Sequence, residues 1–273
     1  MAAASPDTAF EFAPGPPPIP VERGRERRRT ATIVDLEYPG LWNQPVEAYL
    51  VLPRGGSGPW PAVLYQHWYA EEPNANRTQF VDEGVDLAAD GIASLHVQGS
   101  FPWGKDPSGI EADRAGVIGH LVDLRRGLDV LAARPDVDGS RLVFVGHDFG
   151  GMYGALLTAV DGRLRGLAIL AAVPSWSDWF VPFWRVLGDG TEADYRAAMA
   201  DLDPASYLGR IAPRPVLFQF ASDDRYVDEA ARRALVKAAG EPKESKTYEA
   251  DHGLDNEDAA ADRVAWIRRI LSA

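Results

Sequence analysis

The sequence predicts an α/β protein with a largely parallel sheet and helices on both of its faces. Two observations carry this expectation. From about residue 60 onward, short apolar runs alternate with segments whose apolar residues recur every three or four positions. Strands separated by helix-length segments pair in parallel through right-handed crossovers, which buries both faces of the sheet. In addition, one apolar run ends in a glycine-bounded turn, Gly146-His147-Asp148-Phe149-Gly150, and a helical pattern begins at once behind it. At 273 residues and 46% hydrophobic content, the chain fits one folded domain.

The elements follow in order. Residues 1–29 read as a flexible arm, because Pro14-Gly15-Pro16-Pro17-Pro18 suits neither helix nor strand and residues 22–29 form a charged run. Strand-like segments 30–37 and 46–52 precede the turn Gly55-Gly56-Ser57-Gly58. The run 62–66 reads as a buried strand, 80–89 as a helix closed by Gly91, and 92–97 as a strand. A long helix is expected over 112–133, since Val117, Leu121, Leu124, Leu128 and Leu131 mark one helical stripe. Pro135 ends it and Asp138-Gly139 turns the chain. Strands at 141–145, 167–173, 215–220 and 246–249 alternate with helices at 150–159, 229–239 and 259–271. The aromatic-rich stretch 174–208 interrupts this alternation. No internal repeat is present.

Composition narrows the functional classes. A net charge of -12 repels phosphate backbones, so nucleic acid is not an expected partner. With no cysteine in the chain, disulfides, thiol catalysis and zinc thiolates are excluded. The first 21 residues lack a signal-peptide pattern, and no apolar run approaches the roughly 20 residues that span a bilayer. A cytoplasmic protein without membrane contact is expected; its oligomeric state is left open. The five histidines are scattered and no H-E-x-x-H occurs, so neither a metal nor another cofactor is expected. Asp148-Phe149-Gly150 spells a kinase triplet without the Gly-rich loop or catalytic loop that would give it meaning.

The turn at 146–150 is the most informative segment. Small residues two before and two after a reactive side chain permit a sharp, strained strand-to-helix turn, the nucleophile elbow G-x-S-x-G, here with Asp148 at the serine position. Partners follow in the order nucleophile, acid, histidine. Asp224 lies in the loop after the strand 215–220, and His252 in Asp251-His252-Gly253 after the strand 246–249. His252 is the expected base and Asp224 the carboxylate that orients it, with Asp223, and behind it Asp228, as alternatives.

On these residues the chain resembles a dienelactone-hydrolase-type member of the α/β-hydrolase superfamily over about residues 47–271, best in 83–91, 135–151 and 221–253. The resemblance implies the α/β-hydrolase fold, an eight-stranded, mostly parallel sheet, a pocket at the strand carboxyl ends, and a lid inserted over 174–208. Those enzymes carry Ser or Cys at the elbow. An aspartate there is similar instead to epoxide hydrolases and haloalkane dehalogenases, although the loop Gln66-His67-Trp68-Tyr69 lacks the His-Gly-x-Pro of the former and Phe149 stands where many of the latter have a halide-binding Trp.

An aspartate changes the chemistry. A carboxylate is ionised at neutral pH and attacks a saturated carbon without losing a proton. Asp148 is therefore expected to form an alkyl-enzyme ester with an epoxide or haloalkyl small molecule, and His252 to activate the water that hydrolyses it. The backbone N–H groups of Phe149 and Trp68 are the expected oxyanion hole. Tyr69, Trp176, Trp179, Trp184 and Tyr195 are the expected substrate contacts and leaving-group polarisers. Two other readings stand beside this one: a dienelactone-like ester or lactone hydrolase with a non-serine elbow, and a ligand-binding protein that keeps the fold without turnover.

Overall fold

A computed structural model describes residues 15–41, 43–69, 76–100, 109–184 and 190–272. Its strands are β1 (Val21–Arg27), β2 (Ala31–Pro39), β3 (Pro45–Pro53), β4 (Trp60–Gln66), β5 (Ala93–Val97), β6 (Val137–His147), β7 (Leu164–Leu170), β8 (Val216–Ala221) and β9 (Lys243–Tyr248). They form one nine-stranded sheet in the order β1-β2-β3-β5-β4-β6-β7-β8-β9. The pairs at the β1 end, up to β3 with β5, are antiparallel, and those from β5 through β9 are parallel.

Nine strands replace the expected eight, and one of them, β1, lies within the segment read as a flexible arm. Its sequence VERGRER has no apolar alternation, because almost every side chain on it is exposed. Backbone pairing with β2 holds it. Arg23 pairs with Glu37 and Arg25 with Glu22, and such charges suit an edge strand that must not pair further.

The α-helices among the described residues are α1 (Val81–Ala89), α2 (Ile110–Ala132), α3 (Phe149–Val160), α4 (Trp176–Trp179), α5 (Glu192–Met199), α6 (Ala205–Leu208), α7 (Glu229–Ala238) and α8 (Glu257–Ser272), with short 3-10 turns at Asn76–Thr78 and Ala200–Leu202 and a π turn at Phe180–Trp184. The pleat of β6 divides the core. Phe144 faces the layer holding Leu121, Leu124 and Leu128 of α2 and Met152 of α3, while Val143 and Val145 face the layer holding Leu87 of α1 and Trp266 of α8.

The described residues of segment 174–208 pack against the main core, and Trp179 among them also walls the pocket that holds Asp148. Trp176, Phe180, Tyr195, Met199, Leu202 and Tyr207 all belong to the main core. The carboxyl ends of β4, β6, β8 and β9 open on the same edge of the sheet, and the loops that leave them carry the site.

Candidate functional site

Close backbone packing forces the elbow between β6 and α3. A Cβ at Gly146 would sit 2.2 Å from the Gly150 carbonyl, and one at Gly150 would sit 2.2 Å from the Gln66 carbonyl oxygen. Asp148 itself adopts φ 57°, a strained conformation for a side-chain-bearing residue. Its N–H donates to Leu170 O at 2.8 Å, which ties the turn to the end of β7.

The Asp148 side chain is buried at 2% exposure. Its Oδ2 accepts the N–H of Tyr69 at 3.3 Å, and its Oδ1 is a buried oxygen without a hydrogen-bond partner. The loop after β9 brings His252 Nε2 to 3.9 Å from Asp148 Oδ2. The loop after β8 brings Asp224, whose Oδ2 lies 2.9 Å from His252 Nδ1. Asp224 Oδ1 also accepts the N–H groups of Tyr226 and Val227 at 2.9 and 3.1 Å, which fixes the carboxylate. Asp223 is exposed, and Asp228 caps α7 by accepting from Ala231 N–H.

Electrostatically the three groups form a carboxylate–imidazole–carboxylate row. Burial opposes a charge on His252, but the nearby Asp148 carboxylate and the hydrogen bond to Asp224 prevail and hold its pKa up at about 9. Burial pushes Asp148 above the ordinary carboxylate range, against the pull of His252 and the Tyr69 N–H. Asp224 is also pushed up by burial, yet the His252 contact and the two backbone donors bring it below its usual value.

A cavity of about 710 Å³ opens over this row, walled by the rings of Trp68, Tyr69, Trp179 and Tyr226, with Asp223, Arg225 and Asp251 toward the solvent. The Arg225 guanidinium lies 4.6 Å from the centre of the Tyr226 ring. Trp179 and Tyr226 each present an edge-to-face contact to His252, at 5.6 and 4.9 Å between centroids. No group of three or more His, Cys, Asp or Glu side chains among the described residues is placed to hold a metal ion. No helix there is long and apolar enough to cross a membrane.

Several expected contacts are corrected. The Trp68 N–H does not face Asp148: it donates to Gln79 Oε1 at 3.0 Å, and the next N–H along, that of Tyr69, meets the carboxylate. Trp68 contributes its ring to the pocket instead. Trp176 is fully buried behind Phe149, with its indole N–H bonded to Leu202 O at 2.7 Å, so it supports the wall from outside. Tyr195 is buried too and donates to Asp113 Oδ2 at 2.7 Å, away from the pocket. The side chain of Trp184 lies outside the described residues. Phe149 packs its ring between Tyr69 and Trp179.

Further polar residues surround the site. Asn76 Nδ2 and His67 Nδ1 both bond to the Trp68 carbonyl. His147 Nε2 lies 2.9 Å from the His252 carbonyl, and His147 Nδ1 lies 2.6 Å from Gln79 Nε2. Tyr226 and Arg225 were legible only as neighbours of Asp224.

No family model matches the chain. It is 30% identical over 169 residues to "Putative hydrolase YtaP" of Bacillus subtilis (strain 168), a match spanning 54% of this chain and 56% of that protein. Acetyl xylan esterase 1 from Thermoanaerobacterium sp. JW/SL YS485 superposes with a TM-score of 0.77 at 15% identity, covering 97% of this chain and 92% of the other. A glucuronoyl esterase from Solibacter usitatus gives 0.73 at 14% identity over 95% and 88% of the two chains. A cold-adapted esterase from an Arctic intertidal metagenomic library gives 0.65 at 17% over 91% and 97%. The chain has the α/β-hydrolase fold. The loops after β6, β8 and β9 carry Asp148, Asp224 and His252.

Proposed function

We propose that the chain is a hydrolase in which Asp148 is the nucleophile, His252 the base and Asp224 its orienting acid, acting on an epoxide, a carbon–halogen bond or a related alkyl electrophile. Asp148 Oδ1 attacks the carbon and an alkyl ester forms as the C–X bond breaks: a halide departs with the bonding electron pair, whereas an epoxide oxygen keeps the pair, stays on the product and takes a proton from solvent. His252 then takes a proton from water as the water oxygen attacks the ester's carbonyl carbon. The oxyanion forms on Asp148, facing the Tyr69 N–H and, as the second donor, that of Phe149. The alcohol leaves with a proton and the carboxylate is restored.

One observation carries this reading: a single buried carboxylate has one oxygen on a backbone donor, the other without a partner, and an Asp224-held histidine 3.9 Å away. The row's protonation also favours the covalent order. With a pKa of about 9 the free-site His252 holds its proton at neutral pH and is no base. Once Asp148 becomes a neutral ester, one of the two flanking charges is gone, the His252 pKa falls, and the imidazolium releases its proton to solvent before it acts as base.

Intact-protein mass spectrometry of the His252→Gln variant against epoxides and haloacids is the test. An adduct on Asp148 is expected. The ester or lactone reading is favoured by the three esterases described above, which share the fold. Turnover of esters without an adduct on any alkyl electrophile would establish it instead.

A further inference from the structure

The peptide between Trp68 and Tyr69 is gripped from both sides. Its carbonyl accepts from Asn76 Nδ2 at 3.0 Å and from His67 Nδ1. In a trans peptide the C=O and N–H point in opposite directions, so fixing the Trp68 carbonyl aims the Tyr69 N–H at Asp148 Oδ2. The preceding N–H, that of Trp68, is held by Gln79 Oε1.

Gln79 does not end there. Its Nε2 donates to His147 Nδ1 at 2.6 Å, which leaves His147 with its proton on Nε2, and that N–H donates to the His252 carbonyl at 2.9 Å. Burial holds His147 neutral, with its pKa down at about 3, so this tautomer persists at neutral pH. The imidazole of His147 also stacks on Trp68 at 5.2 Å between centroids.

We propose that Gln79 and His147 are positioning residues: through four groups in series, Trp68 N–H, Gln79, His147 and the His252 carbonyl, they hold the base at a fixed distance from the peptide that faces Asp148. Neither residue lines the cavity or reaches the reacting atoms. Gln79 satisfies both ends at once because an amide carries an acceptor and a donor on one carbon. An apolar side chain of equal length satisfies neither, and a glutamate serves both if His147 takes up a second proton.

That difference separates positioning from packing. Gln79→Met keeps volume and removes both bonds. Gln79→Glu buries a charge but keeps the chain connected through a Glu–imidazolium pair. His252 titration is followed first, by NMR of histidine-labelled protein without substrate. In Gln79→Met, His252 slackens from Asp148 and titrates about one pH unit lower than in the wild type. In Gln79→Glu it titrates close to the wild type, while His147 becomes protonated near neutral pH.

The second readout rests on the Asp148 reading. With an electrophile that alkylates the wild type, kcat of Gln79→Met falls about 100-fold with little change in KM, and Gln79→Glu stays within about 5-fold. His147→Phe, which keeps the stack on Trp68, repeats the Gln79→Met result and supplies it if that variant fails to fold. The double variant is no worse than either single one, since both break the same chain. An unmoved His252 titration in Gln79→Met and His147→Phe, or a Gln79→Glu variant as impaired as Gln79→Met, overturns the proposal. A wild type that no alkyl electrophile modifies would instead defeat the Asp148 reading, and the NMR comparison would still decide the role of Gln79.

Discussion

His252 Nδ1 lies 3.0 and 2.9 Å from the two carboxylate oxygens of Asp224, so the imidazole is met by the whole carboxylate. The Asp224 side chain is fully buried, while adjacent Asp223 is exposed. If Asp224 orients His252, Asp224→Asn lowers kcat by about 10²–10⁴, because an amide leaves the ring in the wrong tautomer. Asp223→Asn is expected to stay within about 2-fold. Parallel steady-state kinetics of the two variants check the assignment, and equal losses would reverse it.

The protonation of the row sets an order of events in pH. Alkylation of Asp148 needs an ionised carboxylate and an electrophile. Hydrolysis of the ester needs neutral His252, whose pKa drops once Asp148 is esterified. Lowering pH therefore slows hydrolysis before it slows alkylation, and the adduct accumulates as turnover declines. Quenched-flow mass spectrometry between pH 8 and 5 reads both quantities. Adduct and turnover disappearing together would place the histidine in the first step.

Much of this site was legible because it depends on local backbone chemistry. Gly146 and Gly150 mark the elbow because nothing larger fits against Gln66 and the start of α3. Asp224 stands just past the apolar strand β8, and His252 just past the polar edge strand β9, in the chain order that follows an elbow. The oxyanion donor was misplaced by one residue because loop direction is decided by Gln79, Asn76 and His67, which meet Trp68 only in three dimensions. Trp176 and Tyr195 looked like lid aromatics by composition, but the indole N–H and phenol O–H found buried partners that no sequence pattern announces. Strand β1 has no legible pattern for the opposite reason: backbone pairing and the Arg23–Glu37 ion pair hold it to β2, and its exposed charges carry no period.

The elbow glycines give a stability prediction. A Cβ 2.2 Å from backbone atoms cannot be relieved by a rotamer change, so Gly146→Ala and Gly150→Ala must move β6 or α3. Each is expected to destabilise by more than about 3 kcal/mol, or to prevent folding. Urea unfolding of the purified variants, or their failure to accumulate as soluble protein, measures this. A loss under about 1 kcal/mol at either position would contradict the packing.

Buried neutral histidines make the fold sensitive to acid. Burial lowers His67 to about 4 and His96, His120 and His147 to about 3, against 6.5 for the free side chain. Unfolded chains bind these protons first, so the stabilisation is fully present above pH 6.5 and is lost as pH falls toward 4 and then 3. Each histidine contributes a slope of about 1.4 kcal/mol per pH unit in that window. His252 acts in the other direction: its contribution is present below pH 6.5 and fades as pH rises through about 9. Urea midpoints are therefore expected to fall steeply below pH 6, and His96→Asn should flatten that fall.

Tyr195 separates a lid polariser from a structural clasp. Its hydroxyl donates to Asp113 Oδ2 at 2.7 Å, and Asp113 Oδ1 is buried without a partner. Burial already lifts Asp113 to about 6, and the Tyr195 bond opposes that rise. Tyr195→Phe removes the bond, so Asp113 is expected to take up a proton at higher pH and the fold to lose about 1–3 kcal/mol. Because α5 holds Tyr195 away from the cavity, kcat should change by less than about 3-fold at temperatures where the variant is folded. A phenol that polarises the leaving group would behave differently: its loss would reduce kcat by about 10²-fold or more with stability nearly unchanged. Measuring thermal unfolding and turnover on the same preparation distinguishes the two, and a selective loss of kcat would return Tyr195 to the site.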